Sequence, residues 1–330
     1  MKTVKYLFIV LFVVSTTNFA QSSNIGTSVA NFLKIGVGAR AVAMGEAYTA
    51  ISDEATAAYW NPGGLGFMEN QSANFSYTDW IFDTNLNFFS VVLPTEDLGT
   101  FAVSLNMFSS GDIEETTISK PTGTGRVVSA SDLVVGVSYA KQLTDRFSAG
   151  ASLKYIRENL ALESASAVAV DIGSIFIISE DYNLRLGLMI SNLGTDMKFE
   201  GVDLETSVST ENSRIVEAQL KTYSWAIPLT FKVGLASDII KTEMHRLTLS
   251  LDVNDARDFE PRETIGFEYG FNSMFFLRGG YKFNYDEESY TAGTGINYDV
   301  EGVGGIKFDY AYSYLNRLGR IHRFSINFTL

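Results

Sequence analysis

Apolar and polar residues alternate along most of this chain. From Arg323 to Leu330 the order is Arg-Phe-Ser-Ile-Asn-Phe-Thr-Leu, unbroken to the last residue. Upstream, Leu184, Leu186, Leu188 and Ile190 interleave with Arg185, Gly187, Met189 and Ser191. Leu247, Leu249, Leu251 and Val253 interleave with Thr248, Ser250, Asp252 and Asn254, and Ile306, Phe308, Tyr310, Tyr312 and Tyr314 with Lys307, Asp309, Ala311 and Ser313. A period of two puts one kind of residue on each face of a β-strand. Fourteen such segments are read, at 71–80, 86–93, 99–109, 132–141, 146–158, 166–178, 183–192, 223–235, 246–254, 264–270, 275–283, 290–298, 303–314 and 320–330.

The pattern fits a soluble sandwich, with the apolar set facing a core, and equally a membrane barrel, with that set facing lipid. Strand number and connections separate them. Fourteen is even, and most segments have the ~9–11 residues that cross a bilayer at a tilt. A barrel carries long loops at one end and tight turns at the other. The two longest connections, near 110–131 and 193–222, are the third and seventh, both odd. The even ones, Pro94–Leu98, Gln142–Asp145, Glu180–Asn183 and Phe271–Met274, are short; Ala236–His245 is the exception. A sandwich has no reason to sort loops by parity, so an all-β, antiparallel, fourteen-stranded transmembrane barrel is expected over residues 70–330. Within the seventh connection, Arg214–Lys221 (RIVEAQLK) is expected to form about two helical turns.

The first twenty residues read as a secretory signal peptide: Lys2 and Lys5, an apolar run from Tyr6 to Val14, and small residues up to a cut after Ala20. Removing them moves the formal net charge from −13 to about −15, which argues against nucleic acid as a partner. The chain has no cysteine, which excludes a lipid-anchored cysteine, disulfides and thiolate metal sites. No later stretch approaches the ~20 apolar residues of a membrane helix.

Candidate chemistry is sparse. Gly36-Val37-Gly38-Ala39-Arg40-Ala41 matches the dinucleotide pattern, but that reading needs a strand–helix–strand unit, and the chain downstream is all strand. No cofactor is expected. The acidic groups Asp53-Glu54, Glu114-Glu115 and Asp286-Glu287-Glu288 read as solvated surface, with divalent bridging by the last as the lesser alternative. His245 and His322 fall on opposite rims, no nucleophile elbow accompanies either, and no catalytic set emerges. Lys154, Arg185, Asp252, Lys307, Asp309 and Arg323 lie on the polar strand faces. Basic residues cost ~2–4 kcal/mol at the bilayer midplane, so these face a lumen. Their mixed signs favour ion pairing over a conduit.

Between the leader and the first strand, residues 21–69 form a separate segment. Ala39–Tyr59 holds eight alanines and one glycine, with Arg40 its single basic residue. Small residues allow close backbone approach, and a buried Arg40 needs acceptors from strand carboxylates or from the segment itself. Asn61-Pro62-Gly63-Gly64 is a strong turn, with Asn61 held extended before proline.

The residues Phe32 to Gly45 (FLKIGVGARAVAMG), Ala47 to Ala50 (AYTA) and Tyr59 to Leu65 (YWNPGGL) resemble the N-terminal signature of the PorV/PorQ family of outer-membrane barrels. Ser191–Gly194 and Leu277–Lys282 resemble its strand ends. The resemblance implies a fold similar to the FadL fatty-acid channels, fourteen strands with an N-terminal hatch in the lumen. It marks Gly36, Gly38, Arg40, Met44, Gly45, Trp60, Asn61, Pro62 and Gly63 as the hatch motif. It also implies a location in the outer membrane among its lipids, and no catalysis. The expected role is in type IX secretion, docking on the translocon and on secreted proteins that carry a C-terminal signal domain. Gly63 stands where the family usually has alanine, a small change. The alternative is a FadL-like channel for hydrophobic small molecules, with Phe67, Met68, Trp80, Phe82, Met107 and Phe108 as candidate lining. The polar lumen faces lean toward the first reading.

Overall fold

The computed structural model describes residues 26–209, 215–300 and 304–330. The expected leader, residues 21–25 and Arg214 lie outside the described residues. Fourteen antiparallel strands form the wall: β1 Ser72–Asp79, β2 Asn85–Thr95, β3 Gly99–Glu114, β4 Val127–Thr144, β5 Phe147–Leu160, β6 Glu163–Ser179, β7 Leu184–Gly194, β8 Thr230–Lys241, β9 His245–Ala256, β10 Arg262–Phe271, β11 Phe275–Phe283, β12 Glu288–Val300, β13 Gly304–Leu315 and β14 Gly319–Thr329. Each pairs with its neighbours in sequence. The sheet closes where β14 meets β1, from Ser72 opposite Thr329 to Asp79 opposite His322.

Burial along these strands is inverted relative to a soluble protein. On β1 the polar Ser72, Asn74, Ser76 and Thr78 are buried, while Phe75 is 46% exposed. On β14, Arg323, Ser325 and Asn327 are buried and Phe324 is 51% exposed. A sandwich core would take the aromatics inward; only an apolar surrounding makes the observed choice favourable. The outer face is therefore the lipid face.

The even connections are all short, although some odd ones, such as residues 161–162 and 316–318, are equally tight. The supposed exception between β8 and β9 spans only residues 242–244, because β8 runs on to Lys241 through a bulge after Asp238. It also starts later than the expected 223. Pro228 has no N–H for a ladder bond, and upstream of it Trp225 makes a single bridge to Met197. β3 and β4 extend past the expected limits and shorten the third connection to residues 115–126. The helix expected over 214–221 is not formed. Ile215–Gln219 is a strand paired with Glu205–Ser209, since a partner strand in the same loop satisfies a short backbone better than an isolated two-turn helix.

Residues 26–70 run inside this wall from the long-loop rim to the short-turn rim. Gly26 and Val29 hydrogen-bond to the backbone of Asp258 and Ala226, in long-loop connections. Short helices follow at Ala39–Ala43 and Ala57–Trp60, then a 3-10 turn at Pro62–Phe67. Small residues let these elements meet the wall at backbone distance. Gly45 sits at φ +66°, and a Cβ there would lie 3.1 Å from the Tyr281 nitrogen. A Cβ on Gly63 would lie 2.6 Å from Ser174 Cα. Gly63 in place of alanine is therefore not a small change in this barrel.

Candidate functional site

The luminal segment is pinned by charge at the short-turn half. Arg40, buried in the helix Ala39–Ala43, gives Nε and Nη2 to the two oxygens of Glu268 on β10, at 2.7 and 2.9 Å. Its Nη1 reaches the Tyr48 hydroxyl at 2.9 Å, Asp53, and Glu54 at 3.3 Å. Glu268 also accepts from Arg278 at 2.6 Å and Arg246 at 2.9 Å. Arg278 continues to Asp309 at 2.7 Å, and Lys307 lies 3.5 Å from Glu54. Four cations thus meet four carboxylates, the balance that lets charges stay buried. Burial pushes the Asp53 carboxyl up, but Arg40, with Arg185 behind it, outweighs this and holds it at about 2.

Polar wall groups hold the rest. Ala39 N–H donates to Ser325 Oγ at 2.7 Å. Thr291 Oγ1 donates to Ala43 O at 2.9 Å and accepts from Gly45 N–H at 3.0 Å. Asp252 accepts from the amides of Tyr48 and Thr49 at 3.0 and 2.8 Å. Asn61 is fully buried, extended at φ −166°. Its Oδ1 accepts from Gly63 N–H at 3.0 Å, and its Nδ2 donates to Thr49 O at 2.8 Å and Ser174 O at 3.1 Å. Pro62 lies against Gly150, where a Cβ would stand 2.5 Å from its carbonyl oxygen. Trp60 donates to Val37 O at 2.9 Å and packs edge-on against Tyr59, with Met44 in the same cluster. Gly36 faces Glu46 and the Trp60 ring, and Gly38 faces Thr56.

On the long-loop side of this segment lies a cavity of about 300 Å³. Lys34, Lys154, Lys232, Arg262 and Lys282 line it against Glu46, Asp171 and Glu288, with Tyr59, Trp80 and Phe88 among its aromatic walls. Lys154 pairs with Asp171 at 2.7 Å, Lys282 with Glu46 at 2.7 Å and also with Glu288, and Lys34 with Asp258.

The six apolar residues read as candidate lining are not brought together. Trp80 lines the cavity, and Phe108 joins it in a neighbouring pocket near the long-loop rim. Phe82, 79% exposed, stands on the β1–β2 connection, and Met107 is on the outer face of β3. Phe67 and Met68 lie at the opposite rim beside Glu69 and Asn70. Asp53 and Glu54 are not solvated surface: both meet Arg40 in the luminal network, and Glu288 is held inside by Lys282, whereas Glu115 pairs with Arg126 and Glu287 with Arg317 nearer the surface. Among the described residues no cluster of three or more carboxylates or histidines could hold a metal ion. His245 and His322 each bond a tyrosine hydroxyl, Tyr269 and Tyr310. The sequence reading passed over Glu268 and Lys282. Their strands alternate, but Gly266, Gly270 and Gly280 leave the inward faces weakly marked, whereas the charged faces of β7, β9 and β13 stand out.

A closed fourteen-stranded wall, apolar outside and ion-paired within, defines a transmembrane barrel of the outer membrane. The family model described as the type IX secretion system protein PorV matches residues 18–257, and the chain belongs to that family. No curated protein matches the sequence. Among solved structures the chain is similar to the CymD monoaromatic hydrocarbon channel (TM-score 0.58, 12% identity, 89% of this chain and 98% of that one). It is also similar to the Pseudomonas putida toluene transporter TodX (TM-score 0.56, 16% identity, 88% and 96%) and a Pseudomonas aeruginosa FadL homologue (TM-score 0.55, 11% identity, 89% and 98%). At these identities the likeness is one of fold.

Proposed function

We propose that this chain is a non-enzymatic interaction component of type IX protein secretion, docking on the translocon and on secreted proteins through their C-terminal signal domain. Membership of the PorV family is the observation that carries this reading. A lumen whose short-turn half is occupied by a balanced ion-pair network supports it, since such a barrel serves better as a scaffold than as a conduit. In this reading residues 1–20 leave as a leader and residues 21–69 act as a hatch. N-terminal sequencing of the mature protein should begin at Gln21. A pull-down from native membranes should return a large translocon barrel or secreted cargo, and deletion of the gene should deplete the secreted proteome. Recovery of the barrel alone, with an unchanged secretome, would overturn the proposal.

A second reading, uptake of hydrophobic small molecules, has the fold likeness to hydrocarbon channels behind it. The family match weighs more, and the charged cavity lining is ill suited to hydrocarbon.

A further inference from the structure

The cavity above the luminal segment holds polar groups that the protein itself does not satisfy. Lys232, from β8, rests its ammonium 4.8 Å from the Trp60 ring centroid. No carboxylate forms an ion pair with it among the described residues. The nearby acids are engaged elsewhere, Glu46 with Lys282 and Asp252, through Oδ2, with the amides of Tyr48 and Thr49. From β3, Asn106 is only 4% exposed, and neither its Oδ1 nor its Nδ2 has a hydrogen-bond partner. On β9, Asn254 Oδ1 is likewise unpartnered. All three side chains line the one cavity. A buried carboxamide left without partners forfeits the hydrogen bonds it had to water. Buried polar groups that converge on one space from opposite walls are the mark of a site shaped for a polar occupant.

We infer that this cavity binds a small organic anion, its acidic group on Lys232 and its hydrogen-bonding body reaching Asn106. Charge sets the sign: five basic side chains line the cavity against three acidic ones, and Lys232 is the one left without a carboxylate. Size excludes a bare inorganic ion as the fitting occupant, because about 300 Å³ holds a molecule of sugar-acid dimensions. Tyr59 and Phe88 offer flat surfaces for a ring or carbon skeleton. The occupant enters from the long-loop side, where Arg262 and Tyr285 stand, and the Arg40 network closes the other end. Binding of this kind is independent of docking on secretion partners.

The test is calorimetric titration of the purified full-length barrel in detergent with D-glucuronate, glucose 6-phosphate, glucose and toluene. Saturable binding of one or both anions, with glucose and toluene silent, is expected, and the preferred anion tells carboxylate from phosphate. Lys232→Gln should weaken binding at least tenfold and Asn106→Leu several-fold, while Lys232→Arg retains it. Should Lys232→Gln not fold, the wild-type protein still decides, because glucose offers the same ring without the acidic group and must stay silent where the anions bind. Silence of both anions, equal binding of glucose, or saturation by toluene alone would each overturn the inference.

Discussion

At the scale of single residues, this barrel depends on the absence of atoms as much as on their presence. A methyl at position 63 would press on Ser174 Cα, which is backbone and cannot swing aside. Overpacking of this kind costs about 1–3 kcal/mol. Gly63→Ala should therefore lower the thermal midpoint in detergent, and an unchanged midpoint would show that the turn can shift away from the wall. Glu268 presents the opposite case. It receives three guanidinium groups, from Arg40, Arg246 and Arg278. Neutralising one member of a buried charge network strands the others, at about 3–5 kcal/mol. Glu268→Gln should destabilise the barrel by about that amount in urea titration. A loss below about 1 kcal/mol would mean that water relieves the cations.

At the scale of elements, the luminal segment is braced by ionised groups, within itself through Arg40 and Asp53 and to the wall through Arg40 and Glu268, so acid should loosen it. The Asp53 carboxyl titrates near 2 in the folded protein against 3.8 unperturbed. A carboxylate with a depressed folded value contributes stability that is fully present above its unfolded value and is lost as pH falls through the folded one. The stability gap between wild type and Asp53→Asn should be constant near neutrality and shrink between about pH 4 and pH 2; a gap indifferent to pH would contradict this. Arg40→Ala removes both contacts at every pH and should raise single-channel conductance or antibiotic leakage. Strand identity was legible in the sequence because lipid on one side and a polar lumen on the other enforce strict alternation. The strand bounds near 223–241 and the fate of Ile215–Gln219 were not, because a proline and a partner strand within the loop decide them, and neither leaves a mark at a period of two. Arg40 declared itself as a lone cation among small residues. Its main partner Glu268 did not, being one acid between glycines on a strand 228 positions away.

For the whole molecule, the orientation of every side chain follows from the medium around it. Phe324 faces lipid midway along β14, and Arg323 beside it faces inward. Phe324→Arg should cost about 2–4 kcal/mol, read as a fall in the folded fraction on unboiled gels. Tolerance equal to that of a rim position would deny the membrane assignment.

The contact between Ala39 and Ser325 spans 286 positions, and it bears on biogenesis. Ala39–Gly45 finds its partners on β12 and β14, through Thr291 and Ser325, while the seam joins β14 to β1. Residues Ala39–Gly45 must therefore wait for the last strands to be made and inserted. Contacts of such separation are slow to form. Once the seam is zipped, a segment this closely fitted has no wide gap through which to enter. It must be gathered in as the sheet curls, and sealing of the pore and completion of the wall become a single event.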